Sequence, residues 1–123
     1  MLSNCLLVGA GGCIGAVLRY LAGLIRISET AIFPYRTFAV NLLGCLAIGI
    51  IAALVEKNTI ADPKLILFLK VGICGGFTTF STFGLETVDL INTGHPGIAF
   101  LYVVLSVLLG TALIFGAQYV IGR

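Results

Sequence analysis

Residues 71–86 read VGICGGFTTFSTFGLE, so glycines and hydroxyl side chains interrupt an otherwise apolar run. Gly75 and Gly76 permit backbone angles that release carbonyls and amides from a helix. The hydroxyls that follow belong to Thr78, Thr79, Ser81 and Thr82. Irregular backbone at membrane depth is tolerated only where it is buried in protein or lines a polar cavity. Within a membrane span, this stretch therefore predicts a helix broken near residues 75–79, at an ion site.

The composition of the chain indicates that the stretch does lie in a membrane span. Of 123 residues, 59% are hydrophobic and 10% are charged, too few polar side chains to cover a soluble globule. A helix needs about 20 mostly apolar residues to cross a hydrocarbon layer of about 30 Å. Four such segments are predicted, at residues 5–24, 37–55, 65–85 and 97–121. We predict an all-α membrane protein of a single domain, residues 1–123, whose third helix is broken near its middle.

The glycines of the first segment favour helix packing over cofactor binding. Gly11 with Gly15, and Gly12 with Ala16, place small residues four apart, which lets another helix approach closely. A dinucleotide-binding fingerprint does not fit, because Ile14 occupies the position of its third glycine.

The charged residues give the chain almost no orientation bias. Six of the seven basic side chains divide three against three across the predicted spans, with Lys57, Lys64 and Arg123 on one side and Arg19, Arg26 and Arg36 toward the other. The positive-inside rule therefore has little to act on. Two copies inserted in opposite orientations would supply eight helices around a two-fold axis in the membrane plane. Insertion in a single orientation stays the alternative.

Neutral hydrogen-bond donors recur at helical spacing in the second and fourth segments. Asn41 follows Thr37 by one turn, and Ser106 follows Tyr102 by one turn, so each pair shares a helix face. An amide in hydrocarbon must find a partner, and Asn41 either lines an ion path or joins two helices by a hydrogen bond. Donors without charge suit the passage of a small anion.

Aromatic and charged groups near the third segment add to this pattern. Phe80 and Phe83 are three apart, and the positive edge of an aromatic ring can solvate an anion, although packing or lipid contact is the alternative. Arg19 and Lys70 either reach an interface or form a cationic vestibule. Glu86 is expected at the end of the third helix, outside the span.

Other classes of function fit the sequence less well. A proton-coupled exporter requires a carboxylate deep in a span, which the predicted spans lack. A membrane scaffold does not need a broken helix rich in hydroxyls. The only histidine, His95, lies in a loop without a carboxylate pair or a nucleophile, so we do not expect an enzyme. An anion channel explains the pattern best, and a dual-topology exporter of small molecules is the alternative.

Three motifs resemble the Fluc, or CrcB, family of fluoride-specific ion channels. They are GGCIGAVLRY (residues 11–20), TFAVNLLG (residues 37–44) and GICGGFTTFSTFGLE (residues 72–86), and the likeness extends over the whole chain in length, helix count and motif order. The resemblance implies an antiparallel, dual-topology homodimer in the inner (plasma) membrane of a microbial cell. It would export fluoride passively and lower cytoplasmic fluoride. No nucleic-acid partner is expected.

The resemblance also implies the site residues. Its fluoride pathway would consist of Asn41, Phe80, Phe83, Thr37, Tyr102, Ser106, Arg19, Ser81, Thr82 and Glu86. Carbonyl oxygens of Gly75 and Thr78 from both subunits would hold a sodium ion (Na+) at the dimer centre. That ion would be structural and would not be transported.

Overall fold

The computed structural model describes all 123 residues, and its regular structure is entirely helical. Four helical stretches are long and apolar enough to cross a membrane: α1 (Leu2–Gly23), α2 (Tyr35–Glu56), the third span (Pro63–Asn92) and α6 (Pro96–Gly122). The prediction of an all-α membrane protein with four spans is therefore confirmed. The third span continues to Asn92, beyond the expected end at Leu85, which places Glu86 inside the span.

The third span is not a uniform helix. Its parts are α3 (Pro63–Ile66), a π-helix (Leu67–Cys74), α4 (Gly75–Phe77) and α5 (Phe80–Asn92). A π-helix closes its hydrogen bonds five residues apart instead of four, and such segments are frequent at functional sites. Because this spacing turns side chains away from their α-helical positions, a period of 3.6 residues does not place them correctly.

The break in the third span lies at two threonines. Thr78 (φ −79°, ψ 156°) and Thr79 (φ −147°, ψ 115°) have extended backbone, a conformation that β-branched residues favour. The Thr79 hydroxyl then caps α5 by accepting the Thr82 N–H at 3.2 Å. Gly75 stays helical at φ −64° and ψ −38°. A break near residues 75–79 is present, but attributing it to the glycines is wrong.

The glycines instead allow α1 to contact the third span backbone to backbone. A Cβ atom on Gly76 would lie 2.5 Å from the carbonyl oxygen of Gly12, and one on Gly11 would lie 2.5 Å from the carbonyl oxygen of Phe68. Both distances are shorter than van der Waals contact, so only glycine fits. The small residues of α1 are thus used for close helix packing, as their spacing predicts.

The other half of the molecule is built on α2, which packs along α6. Tyr102 of α6 is fully buried, beside Leu90 of α5 and Ala99. Only 15 of 123 residues are buried, and large apolar side chains such as Phe100, 73% exposed, point outward. This exterior suits hydrocarbon and not water.

Candidate functional site

Asn41 on α2 binds the backbone at the break. Its Nδ2 donates to the Thr79 carbonyl at 3.1 Å, and the Thr79 N–H donates to its Oδ1 at 2.9 Å. The side chain therefore joins two spans and replaces hydrogen bonds that the interrupted helix cannot make. One amide hydrogen of Asn41 has no partner in these two bonds, so the residue also retains a donor.

A cavity of about 400 Å³ lies against the break, and we call it the phenylalanine cavity. Among the predicted site residues it brings together Asn41, Gly75, Thr78, Phe80, Phe83 and Ser106. The Oγ of Ser106 is buried and has no hydrogen-bond partner. A buried hydroxyl without a partner is costly unless a ligand or water satisfies it. The cavity therefore presents a donor that no protein group uses.

The two phenylalanines differ in their surroundings. Phe80 is 84% exposed, and its ring centroid lies 5.8 Å from that of Phe83 with the planes tilted by 42°. Phe83 is half-buried and meets the ring of Tyr102 edge to face, at 4.9 Å. The sequence pairs them on one face, and the structure places both on the wall of the same cavity.

A second cavity, of about 360 Å³, lies on the other side of the break, and we call it the arginine cavity. Its lining includes Arg19, Arg36, Thr37, Thr79 and Thr82. Arg19 Nη1 donates to the Thr78 carbonyl at 3.2 Å, which fixes a guanidinium beside the break. Thr79 lines both cavities, so each of them borders this residue.

The hydroxyls at the start of α5 form a small cluster. The Thr79 hydroxyl donates to Thr82 Oγ1 at 3.1 Å, and the Oγ atoms of Thr79 and Ser81 lie 3.4 Å apart. Ser81 and Thr82 are exposed. Thr82 lines the arginine cavity, whereas Ser81 lines neither of the two cavities.

Glu86 differs from its expected position at a helix end. It is half-buried in α5, where one carboxylate oxygen accepts from the Thr37 hydroxyl and the other from the Tyr102 hydroxyl, both at 2.7 Å. These hydroxyls are thus bound to a carboxylate and are not free donors. The bridge was missed because the third span was expected to end at Leu85. The stop signal that could have corrected this is Gly94, which has a φ of +85°.

The two cavities share a chemistry that suits anions. Hydroxyl and cationic groups line both cavities, each has at least one aromatic ring in its lining, and neither is lined by a carboxylate. Such a set can replace the hydration of a small anion without binding it irreversibly.

Four apolar spans and a third span that is interrupted beside two cavities define a multi-pass membrane protein. The profile of the family described as "CrcB-like protein, Camphor Resistance (CrcB)" matches residues 6–118. The chain belongs to this family, which confirms the resemblance carried by its motifs.

Curated relatives are similar in sequence to this chain over nearly their full length. A protein of Chlorobaculum tepidum named "Fluoride-specific ion channel FluC" is 48% identical over 116 residues, which cover 94% of this chain and 91% of that protein. Proteins of the same name from Azobacteroides pseudotrichonymphae and Agrobacterium fabrum are 43% and 40% identical, covering 91% and 98% of this chain and 90% and 96% of their own lengths. These relatives are named as channels and not as enzymes.

Proposed function

We propose that this protein is a fluoride channel through which fluoride leaves the cytoplasm passively, across the inner (plasma) membrane. The observation that carries the proposal is the phenylalanine cavity, where the unpartnered Ser106 hydroxyl lies with Asn41 and two aromatic rings and without any carboxylate. Fluoride holds its water tightly, so a pathway must offer many modest donors in place of one deep trap. The names of the relatives support fluoride as the ion.

The conducting unit is an antiparallel homodimer in this proposal. Gly75 and the 84%-exposed Phe80 line the phenylalanine cavity, so one protomer leaves part of its wall open. A second copy, related by a two-fold axis in the membrane plane, would cover that wall. The balanced basic residues allow both orientations to be made from one sequence.

A structural sodium ion at the dimer centre also fits the residues at the break. The Thr79 N–H donates to Asn41 and not to the Gly75 carbonyl four residues back, which leaves that oxygen free of this bond. The Thr78 carbonyl accepts one hydrogen bond from Arg19 and keeps a second lone pair. Two copies would supply four carbonyl oxygens, a ligand set that suits a hard cation.

The sodium proposal has a direct test. Exchanging all sodium for a bulky organic cation is expected to weaken the dimer on gel filtration or to stop fluoride flux. Flux in sodium buffers is expected not to depend on a sodium gradient, because the ion is not transported. Full activity and dimer stability without sodium would remove the site.

The function itself is tested by ion efflux from liposomes that contain the purified protein. With the membrane potential clamped by potassium and valinomycin, we expect rapid fluoride efflux and little chloride efflux. A proton-coupled exporter is the alternative that the half-buried Glu86 favours, since such a protein needs an acid within a span. Fluoride efflux that a protonophore leaves unchanged supports the channel, whereas efflux that follows the pH gradient supports the exporter.

A further inference from the structure

We propose that Lys70 is a further residue of the anion pathway, whose ammonium draws anions from water into the phenylalanine cavity. The inference rests on the proposed function, because it assigns this residue a part in anion passage. It concerns the side of the break opposite the arginine cavity.

Lys70 is the only charged residue of the 13 that line the phenylalanine cavity. It lies in the π-helix, Leu67–Cys74, and is half-buried. It lies seven positions after Pro63, where the span begins, which corresponds to about 10 Å of helix at about 1.5 Å per residue. Its backbone is thus well inside the span, and its side chain is long enough to reach toward the aqueous end of the cavity.

The ammonium of Lys70 has no partner in the protomer. It takes part in none of the side-chain hydrogen bonds, and no carboxylate lines the cavity. Removing a charge partly from water without a counter-charge is unfavourable, so an anion that approaches is stabilised there. The unpartnered Ser106 Oγ in the same cavity supplies a second free donor. Two unused donors in one cavity point to an anion as the missing partner.

The side chain of Lys70 suits the attraction of anions better than their tight binding. Its ammonium is a strongly hydrated point charge on a flexible stem, and no second group holds it in place. It therefore raises the local concentration of anions without offering a rigid, bidentate site. Arg19 and Arg36 supply positive charge to the arginine cavity, which shares the lining residue Thr79 with the phenylalanine cavity. With Lys70, cations border the path on both sides of the break.

The test compares fluoride efflux from liposomes for Lys70→Gln and the parent protein at two ionic strengths, set with an impermeant salt. At about 10 mM the Debye length is about 30 Å, and we expect the variant to be slower by about tenfold. At about 1 M the Debye length is about 3 Å, and we expect the two rates to agree within about twofold. Lys70→Arg keeps the charge and is expected to retain the salt dependence of the parent.

Lys64→Gln is the matched control. Lys64 lies on the same span, is exposed and lines neither cavity, so its replacement is expected to change neither rate. If Lys70→Gln behaves like this control at low ionic strength, the side chain lies among the headgroups and the inference is wrong. An equal loss at both ionic strengths also overturns it, because that loss reflects packing.

Two further measurements keep this test decisive. If Lys70→Gln does not assemble on gel filtration, Lys70→Met makes the same comparison with an apolar side chain of similar length. A parent protein that conducts no fluoride contradicts the proposed function itself, whereas a conducting parent with an unaffected Lys70 variant contradicts only this inference.

Discussion

Replacing Asn41 by Asp exchanges one atom of the side chain that binds the break, an amide nitrogen, for a carboxylate oxygen. The bond in which Oδ1 accepts the Thr79 N–H at 2.9 Å is kept, but the bond from Nδ2 to the Thr79 carbonyl at 3.1 Å is lost. An interhelical hydrogen bond in a membrane contributes about 0.6 kcal/mol, and the unpaired carbonyl costs about 1–3 kcal/mol more. We expect Asn41→Asp to lower the free energy of unfolding by about 2–4 kcal/mol.

Asn41→Asp is also expected to act on conduction directly, through the charge that it adds. A carboxylate about 5 Å from a passing anion, at an effective dielectric constant of about 20, raises the energy of that anion by about 3 kcal/mol. Since about 1.4 kcal/mol corresponds to a factor of ten, we expect fluoride flux to fall by about 100-fold. Asn41→Ala is the control, because it breaks both hydrogen bonds without adding charge.

The two Asn41 variants are expected to rank in opposite orders in the two assays. Asn41→Ala leaves two backbone groups of Thr79 without partners and is expected to be at least as destabilised as Asn41→Asp, by about 2–6 kcal/mol. It lacks only one spare donor to the anion and is expected to lose about tenfold in flux. Reversible unfolding in detergent and liposome efflux provide the two measurements. Equal flux for the two variants would show that Asn41 acts only by joining helices.

Three further sets of experiments test the aromatic rings, the close packing at the glycines and the dual topology. Phe80→Ile or Phe83→Ile removes the ring quadrupole and keeps most of the apolar volume, so we expect at least tenfold slower fluoride efflux with an unchanged gel-filtration peak. A variant that conducts fluoride as fast as the parent would show that the rings serve only in packing. Gly15→Ala places a Cβ atom 2.8 Å from the backbone nitrogen of Phe77, and we expect thermal unfolding to show that the protein is destabilised by about 1–3 kcal/mol. Gly9→Ala is the control: its Cβ atom meets nothing within 4 Å, so it is expected to be neutral or slightly stabilising. C-terminal reporters that are active on one side of the membrane are expected to detect both orientations of the protein. Adding three lysines to the loop between α2 and the third span is expected to favour one orientation, and a single orientation in the parent would exclude dual topology.

The four spans could be predicted from the sequence because hydropathy and length are local properties of the chain. The packing role of Gly11 and Gly12 was also predictable, since small residues four apart define a face that another helix can approach. The existence of the break was predicted from glycines and hydroxyls at membrane depth, although Gly75 itself stays helical. Its location at Thr78 and Thr79 did not, because the extended backbone is held by Asn41, a residue 38 positions away.

The parts of the site that depend on contacts between spans could not be predicted. The sequence places Thr37 on one helix face with Asn41, and Tyr102 on one face with Ser106. It does not show that both hydroxyls donate to Glu86. That bridge requires the third span to continue past Leu85 and to pack against α2 and α6. The π-helix that carries Lys70 was not predicted either, because hydropathy and length do not distinguish five-residue from four-residue hydrogen bonding.

The two hydrogen bonds between Asn41 and Thr79 have a consequence for how the protein folds. Proline, which would force an interruption by itself, is absent from the break, and Thr78 and Thr79 have negative φ angles. Thr79 caps α5 by itself, but in the extended form its N–H and carbonyl find partners only when Asn41 docks. We therefore infer that the third span takes its final broken form only when it packs against α2. In the proposed channel the ion route would form only with that packing, so a third span that has not yet met α2 would not conduct.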